Sequence, residues 1–407
     1  MERLFKDTAA IEKFRSSPLG PHLQQLAEHL SKRGYARGNS RWRIRIAYRF
    51  VGWLERSSIP VQEVTPVHVN RFVARYCSVK QGDARTLRML LDILVENRVA
   101  SRPPEPAKTE PEKIADEFAI YLCQERALAP STVSLYRACV ESFLPHCFGT
   151  GPINLSAVCP KDVIGFVRYD ATRRCAASAK NTGTALRSFL QYLQYRGFID
   201  RDISSSVPTV ADWSLSNIPK GLTREQVARV LASCDRKTAI GRRDYAVLLL
   251  LARLGLRASE VANLTLDNID WANGTISVCG KGGKLCALPL PTDVGNAIAV
   301  YLRRDRQTVA SRHLFLRIPA PHRGFYTRTA VGLIVKYALT RAGIQSRSKG
   351  AHQLRHSLAT EMLKRGASLP QIGEVLRHEK PKTTFIYAKV DFAVLRRLAR
   401  RWPGGVA

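Results

Sequence analysis

The stretch His352-Gln353-Leu354-Arg355-His356, with Leu376-Arg377-His378 and Thr383-Thr384-Phe385-Ile386-Tyr387 after it, is where this chain concentrates its chemistry. His352 and Arg355 stand one helical turn apart, so both can face one ligand. A helix opening here also turns backbone N–H groups toward an anion. His378 can donate to a phosphate oxygen. A tyrosine becomes an effective attacker only among several cations, and this segment supplies them around Tyr387. Two upstream stretches extend the set. In Gly255-Leu256-Arg257-Ala258-Ser259-Glu260 an arginine follows a strongly apolar helix, where it needs an anion or an ion pair with Glu260. In Gly280-Lys281-Gly282-Gly283-Lys284 a glycine-rich turn, at the tip of a predicted β-hairpin, lets Lys281 reach into a groove and serve as general acid toward a leaving oxygen. Singly, each has an ordinary explanation: an Arg–Glu pair, a basic hairpin, a structural histidine, a core tyrosine. His356 reads as a neighbour of this set rather than a member.

What is missing narrows the chemistry. No paired carboxylates at metal spacing accompany these residues, and the Gly-x-x-x-x-Gly-Lys-Ser/Thr pattern of a P-loop is absent. The charge of a pentavalent phosphate therefore falls to Arg257, Arg355, Lys281 and the histidines. The expectation is transesterification with no metal, nucleotide or other cofactor. Composition names the partner class. The 407 residues carry 64 Lys+Arg against 33 Asp+Glu, a formal net charge of +31, which points to a large polyanion. Membrane association is not expected, because the longest apolar run, Tyr245–Ala252, falls far short of the roughly 20 residues that span a bilayer. Met1-Glu-Arg-Leu-Phe-Lys has no apolar leader region. The nine cysteines are scattered, without zinc spacing, as reduced thiols of a cytoplasmic protein would be.

The length calls for several domains. Pro-rich Ser101–Pro111 and the Ser/Pro-rich residues 204–221 read as linkers. They leave an N-terminal helical module (1–100), a second helical domain (112–203) and a C-terminal domain (222–407). The two helical segments look like copies of one bundle. Thr65-Pro-Val-His-Val-Asn-Arg-Phe-Val73 parallels Cys159-Pro-Lys-Asp-Val-Ile-Gly-Phe-Val167, and Leu87–Leu94 parallels Leu186–Leu193. Ser40–Leu54 and Ser131–Leu144 are amphipathic, with polar starts that suit N-caps. Arg41, Arg43 and Arg45 around Trp42, Arg173, Arg174 and Lys180 in the second copy, and Lys284 in the hairpin are candidate contacts to backbone phosphates. In the last segment Thr223–Gln226 is a capping box, Asp244–Leu256 a buried helix, and Trp271–Gly274 a turn. Thr275–Val278 and Leu285–Leu290 are predicted strands, helices resume near Thr292, and Ser357–Arg365 is a helix stopped by Gly366.

In order and spacing, Gly-Leu-Arg257-x-x-Glu, Gly-Lys281-Gly, His352-x-Leu-Arg355-His, Leu-x-His378 and Tyr387 resemble the motif set of the tyrosine recombinase/integrase family. The match covers about 222–407, and residues 112–200 resemble that family's helical core-binding domain. The resemblance implies a mainly α fold with a small antiparallel β-sheet in the C-terminal domain, an α+β catalytic domain preceded by helical SAM-like modules. It implies a clamp around duplex DNA, attack by Tyr387 to leave a 3′-phosphotyrosine, and strand exchange through a Holliday junction by a tetramer. Arg257, His352, Arg355 and His378 would stabilise the transition state, Lys281 would protonate the 5′-oxygen, and the tail Val394–Trp402 would dock on a neighbour. Leu376-Arg377-His378 departs from the commoner Leu-Gly-His. The tail resembles recombinases of bacterial mobile elements, which implies a nucleoid-associated role, with accessory recombinases among the conceivable partners. Residues 1–100 exceed the minimal family, and DNA contact is favoured over protein contact for them. The rival readings are a type IB topoisomerase and a non-catalytic DNA-binding relative.

Overall fold

The computed structural model describes residues 1–2, 4–76, 82–101, 107–210, 221–280, 283–325, 327–346 and 350–390. Lys281, the tail 394–402 and parts of both expected linkers lie outside the described residues. The chain forms two compact units, one of residues 104–217 and one combining residues 1–103 with 218–407. It is mainly helical, with a three-stranded antiparallel sheet in the C-terminal segment, as the resemblance implied.

The N-terminal segment holds α1 (Thr8–Arg15), α2 (Gly20–Lys32), α3 (Arg37–Arg56), α4 (Pro66–Tyr76) and α5 (Gly82–Glu96). Asp7 opens α1 by accepting the Ala9 N–H at 3.0 Å. Leu23, Leu26, Leu30, Ile44, Leu87 and Leu90 lie wholly inside the core of this segment. Ser40 does not cap α3. The chain turns earlier, at Gly34 (φ +77), the helix starts at Arg37, and the buried Ser40 hydroxyl donates to the Tyr35 carbonyl at 3.3 Å. A Cβ on Gly34 would sit 2.2 Å from the His322 ring, so glycine is needed there for space as well as for backbone conformation.

The unit of residues 104–217 contains α6 (Glu110–Gln124), α7 (Pro130–Phe148), α8 (Pro160–Arg173) and α9 (Ala176–Tyr195) around Phe118, Phe143, Phe166 and Phe189. Thr109 and Glu112 form the capping box of α6. Ser131 is likewise no cap: Pro130 occupies the first helical position of α7, and Ala129 stands before it. A 3₁₀ turn, Leu155–Ala157, joins α7 to α8, just as Val61–Glu63 joins α3 to α4. Both α4 and α8 begin on proline.

In the C-terminal segment, Thr223 and Gln226 cap α10 (Arg224–Ala232) reciprocally. The buried helix, α11 (Ala239–Arg253), starts earlier than its apolar run because the Thr238 hydroxyl accepts the Gly241 N–H at 3.1 Å. After α12 (Ala258–Asn263), β1 (Ile269–Asp270) pairs with β2 (Thr275–Cys279), which pairs with β3 (Leu285–Pro289) in the register Ser277 to Ala287. The Asp270 carboxylate accepts the N–H groups of Ala272 and Asn273 and so shapes the turn between β1 and β2. Then follow α13 (Thr292–Arg304), α14 (Arg328–Arg341), α15 (His352–Lys364), α16 (Leu369–Val375) and α17 (Pro381–Thr384), with a 3₁₀ helix over Phe385–Val390. Helix α15 begins ahead of the expected Ser357, whose hydroxyl instead works from inside the helix: it donates to the Gln353 carbonyl at 2.8 Å and accepts the Leu222 N–H at 2.6 Å. Gly366 (φ +87) follows its end, as expected.

Candidate active site

Arg355 lies on the first turn of α15 and is 3% exposed. One guanidinium nitrogen donates to the Gly255 carbonyl after α11 and another to the Leu376 carbonyl after α16, so this side chain ties three segments together. Gly255 suits the place: its φ is +59, and a Cβ would come within 2.8 Å of Leu376 Cδ2. Two residues on, Arg257 opens α12. Its Nη1 donates to Glu260 Oε1 at 2.7 Å, its backbone N–H to Glu260 Oε2 at 2.8 Å, and its Nη2 to the Arg377 carbonyl at 3.3 Å. Arg377 Nη2 reaches Glu260 Oε2 at 3.0 Å. Burial opposes the Glu260 charge, yet the Arg257 N–H, then Arg377 and the Arg257 guanidinium, outweigh it and hold the carboxyl below its usual range.

Tyr387 sits in the 3₁₀ helix and is 1% exposed. Its hydroxyl lies 2.9 Å from His356 Nδ1, and its ring is parallel to that of His378 (3°, centroids 6.5 Å apart). His378 Nδ1 in turn lies 2.8 Å from the Thr384 hydroxyl. His356 is thus the phenol's direct partner, which corrects the view of it as a bystander. The only earlier sign was its place beside Arg355, because the pairing depends on how the 3₁₀ helix lies against α15. Burial pushes the phenol up to about 12, against the pull of Arg355. Burial, then His352 and Arg355, push His356 down to about 4. Burial, then Arg355 and Arg257, do the same to His378. Exposed His352, the first residue of α15, is lowered by desolvation and then by Arg355 and Arg257. Arg355 itself is brought down to about 10 by burial, then by Arg257 and Arg377. Burial and the neighbouring guanidiniums thus favour the neutral forms of these histidines, and burial favours the protonated form of the phenol.

A cavity of about 470 Å³ opens beside these groups, lined by Arg257, Gly280, Lys284, Arg377, His378 and Lys380 among others. The hairpin that carries Lys281 therefore borders this cavity through its described residues Gly280 and Lys284, whose backbones are joined by a 2.8 Å hydrogen bond. The arginines singled out for phosphate contact fare unequally. Arg43 is not available. It is 8% exposed, donates to Asn39 Oδ1, the Gly82 carbonyl and Thr86 Oγ1, and lies over the Tyr35 ring, so it braces α3 against α5. Arg41 donates to the Leu4 carbonyl at 2.6 Å, and Arg174 pairs with Asp170 at 2.8 Å. Arg45 is exposed beside the Phe5 ring, and Arg173 is exposed over the Tyr169 ring. Lys180 and Lys284 are exposed.

Comparison with known proteins identifies the family. Residues 220–393 match the phage integrase family, and residues 115–197 match the phage integrase N-terminal SAM-like domain. The chain is 45% identical over 398 residues to integrase/recombinase y4rA of Sinorhizobium fredii, covering 97% of each chain. It is 31% identical to the tyrosine recombinase XerC of Oceanobacillus iheyensis over 69% of this chain and 92% of that one. Among solved structures, the XerH site-specific recombinase bound to its palindromic difH substrate shares the fold at a TM-score of 0.56 and 19% identity, covering 83% of this chain and 98% of that one. A lambda integrase dimer on a core site does so at 0.53 and 15% identity, covering 72% and 98%. This chain belongs to the phage integrase family of tyrosine recombinases, the enzymes of site-specific DNA recombination.

Proposed function

We propose that Tyr387 is the nucleophile that cuts and rejoins duplex DNA, with Arg257, Arg355, His352 and His378 holding the scissile phosphate and Lys281 serving the leaving group. One observation carries this reading: Tyr387 of the 3₁₀ helix, His356 and Arg355 of α15, and Arg257 at the start of α12, from three segments far apart in sequence, are brought together. The Tyr387 hydroxyl lies 2.9 Å from His356 Nδ1, and in the tautomer that leaves this nitrogen unprotonated the phenol donates to it. Burial first, and then the charges of His352 and Arg355, keep His356 acidic; a bound phosphodiester offsets those charges, so the imidazole becomes a better base as the substrate arrives. The phenol proton passes to His356, the tyrosyl oxygen bonds to phosphorus, and the bond from phosphorus to the 5′-oxygen breaks. That oxygen takes a proton from Lys281. The two guanidiniums meet the charge that grows on the equatorial oxygens. The phosphotyrosyl ester conserves the bond energy, and a 5′-hydroxyl from a partner duplex completes the exchange.

The reading extends to assembly. Lambda integrase has been solved as a tetramer on a Holliday junction, and we infer the same order of assembly here, with the tail Val394–Trp402 engaging a neighbouring copy. Residues 1–100 add a helical module whose exposed Arg45 and Arg49 suit flanking DNA. The biological task we infer is movement of a bacterial mobile element. The test uses nicked suicide duplexes selected from the source genome by covalent capture. Wild-type chain traps an adduct, Tyr387→Phe traps none, and paired sites exchange strands. Equal trapping by both proteins overturns the nucleophile. Relaxation of supercoils with no exchange overturns recombination.

A further inference from the structure

Arg377 stands where the commoner motif has glycine, and its backbone is left-handed at φ +56, a conformation that glycine adopts freely and L-residues adopt at a cost. Something must hold an arginine there. Its Nη2 is 3.0 Å from Glu260 Oε2 and its Nη1 is 3.3 Å from the Val375 carbonyl. Its Nε is buried without a hydrogen-bond partner among the described residues. Its carbonyl accepts Arg257 Nη2. Glu260 is thus divided between two guanidiniums, Oε1 to Arg257 and Oε2 to Arg377. Arg377 also lines the cavity, with Arg257, Lys284, His378, Glu379 and Lys380 around it.

Charge counting gives this arrangement a consequence. With Arg377 present, two guanidiniums share one carboxylate, and one positive charge is left over at the cavity. Without it, Glu260 would sit on Arg257 alone and cancel the charge that a phosphate needs. We propose that Arg377 is a positioning residue that draws Glu260 partly off Arg257, leaving the Arg257 guanidinium charged toward, and aligned for, the scissile phosphate. The inference rests on the assignment of Arg257 to that phosphate.

The test is a rescue. Single-turnover adduct formation is measured for wild type, R377G, R377Q, R377K, E260Q and the double variants R377G/E260Q and R377Q/E260Q, alongside thermal melting of each. Glycine fits the backbone, so R377G should melt no lower than wild type while forming adduct on the order of tenfold more slowly or worse. Removing the Glu260 charge from R377G or R377Q should then recover much of the lost rate, because the carboxylate no longer cancels Arg257. R377K, which keeps the charge, should stay closer to wild type than R377Q. A merely structural Arg377 predicts the reverse, with the double variant slower than either single one. Wild-type rates in both R377G and R377Q, no recovery in the double variants, or R377K no better than R377Q would overturn the proposal. The same series in a Tyr387→Phe background, read as affinity for the same duplex, should show the same loss and recovery. That readout needs no cleavage, so it separates failure of this inference from failure of the catalytic reading.

Discussion

Replacing His356 with leucine probes the pair at the centre of the pocket. The Tyr387 hydroxyl is 1% exposed with its residue and lies 2.9 Å from His356 Nδ1. Leucine fills most of the imidazole's space but leaves the phenol O–H buried and unpaired, which costs about 1–3 kcal/mol. Tyr387→Phe makes the opposite cut and strands the imidazole nitrogen. In the double variant neither group lacks a partner, so its loss should fall short of the sum of the two by about 1 kcal/mol. In a segment of this size 1 kcal/mol corresponds to roughly 2–4 °C in melting temperature, which calorimetry resolves. The same substitution removes the proposed proton acceptor, so adduct formation should slow by about 10²–10⁴-fold at unchanged DNA affinity. If the stability cycle closes additively within about 0.4 kcal/mol and the His356→Leu chain still forms adduct at the wild-type rate, the pairing plays neither part.

Acid should loosen the pocket. His356 and His378 are pushed down to about 4, below the ordinary value of about 6.5, so their neutral forms are favoured by folding. That stabilisation is complete above about pH 6.5 and is lost as pH falls toward 4; for His356 it is on the order of 3 kcal/mol. Urea midpoints that are equal at pH 7 and pH 5 would contradict it. Arg43→Ala should destabilise the N-terminal helices by about 2–4 kcal/mol, because it strips buried acceptors of their donor. It should leave the salt dependence of DNA binding unchanged, whereas a slope reduced by about one would restore Arg43 as a phosphate contact. Gly255→Ala forces a side chain into a left-handed position 2.8 Å from Leu376 Cδ2 and shifts the carbonyl that holds Arg355. Adduct formation should fall further than the melting temperature explains, and an alanine variant with normal cleavage would show that this carbonyl does not set Arg355.

Much of this was legible in the sequence, for identifiable reasons. The capping box at Thr223 and the glycine stop at Gly366 are local signals, and the structure keeps them. The β2–β3 hairpin announced itself through apolar runs around a glycine-rich turn. What failed was positional. Ser40 and Ser131 look like caps, but the helices begin earlier, at Arg37 and Pro130, where backbone turning and proline set the start. The strand β1 is two residues long, too short for any alternation to show. Arg43 was indistinguishable from its exposed neighbours, since only the packing of α3 on α5 buries it. The pairing of His356 with Tyr387, and of Arg377 with Glu260, spans 31 and 117 positions and depends on tertiary closure. For Arg377 a signal existed: a large charged residue in a place where glycine is usual.

Which atom holds the broken strand can be read directly. Covalent complexes trapped on a suicide duplex, digested and sequenced by mass spectrometry, should carry the nucleotide on the peptide that contains Tyr387, linked through the phenolic oxygen to a 3′-phosphate. A nucleotide attached to any other side chain, or through a 5′-phosphate, would contradict it.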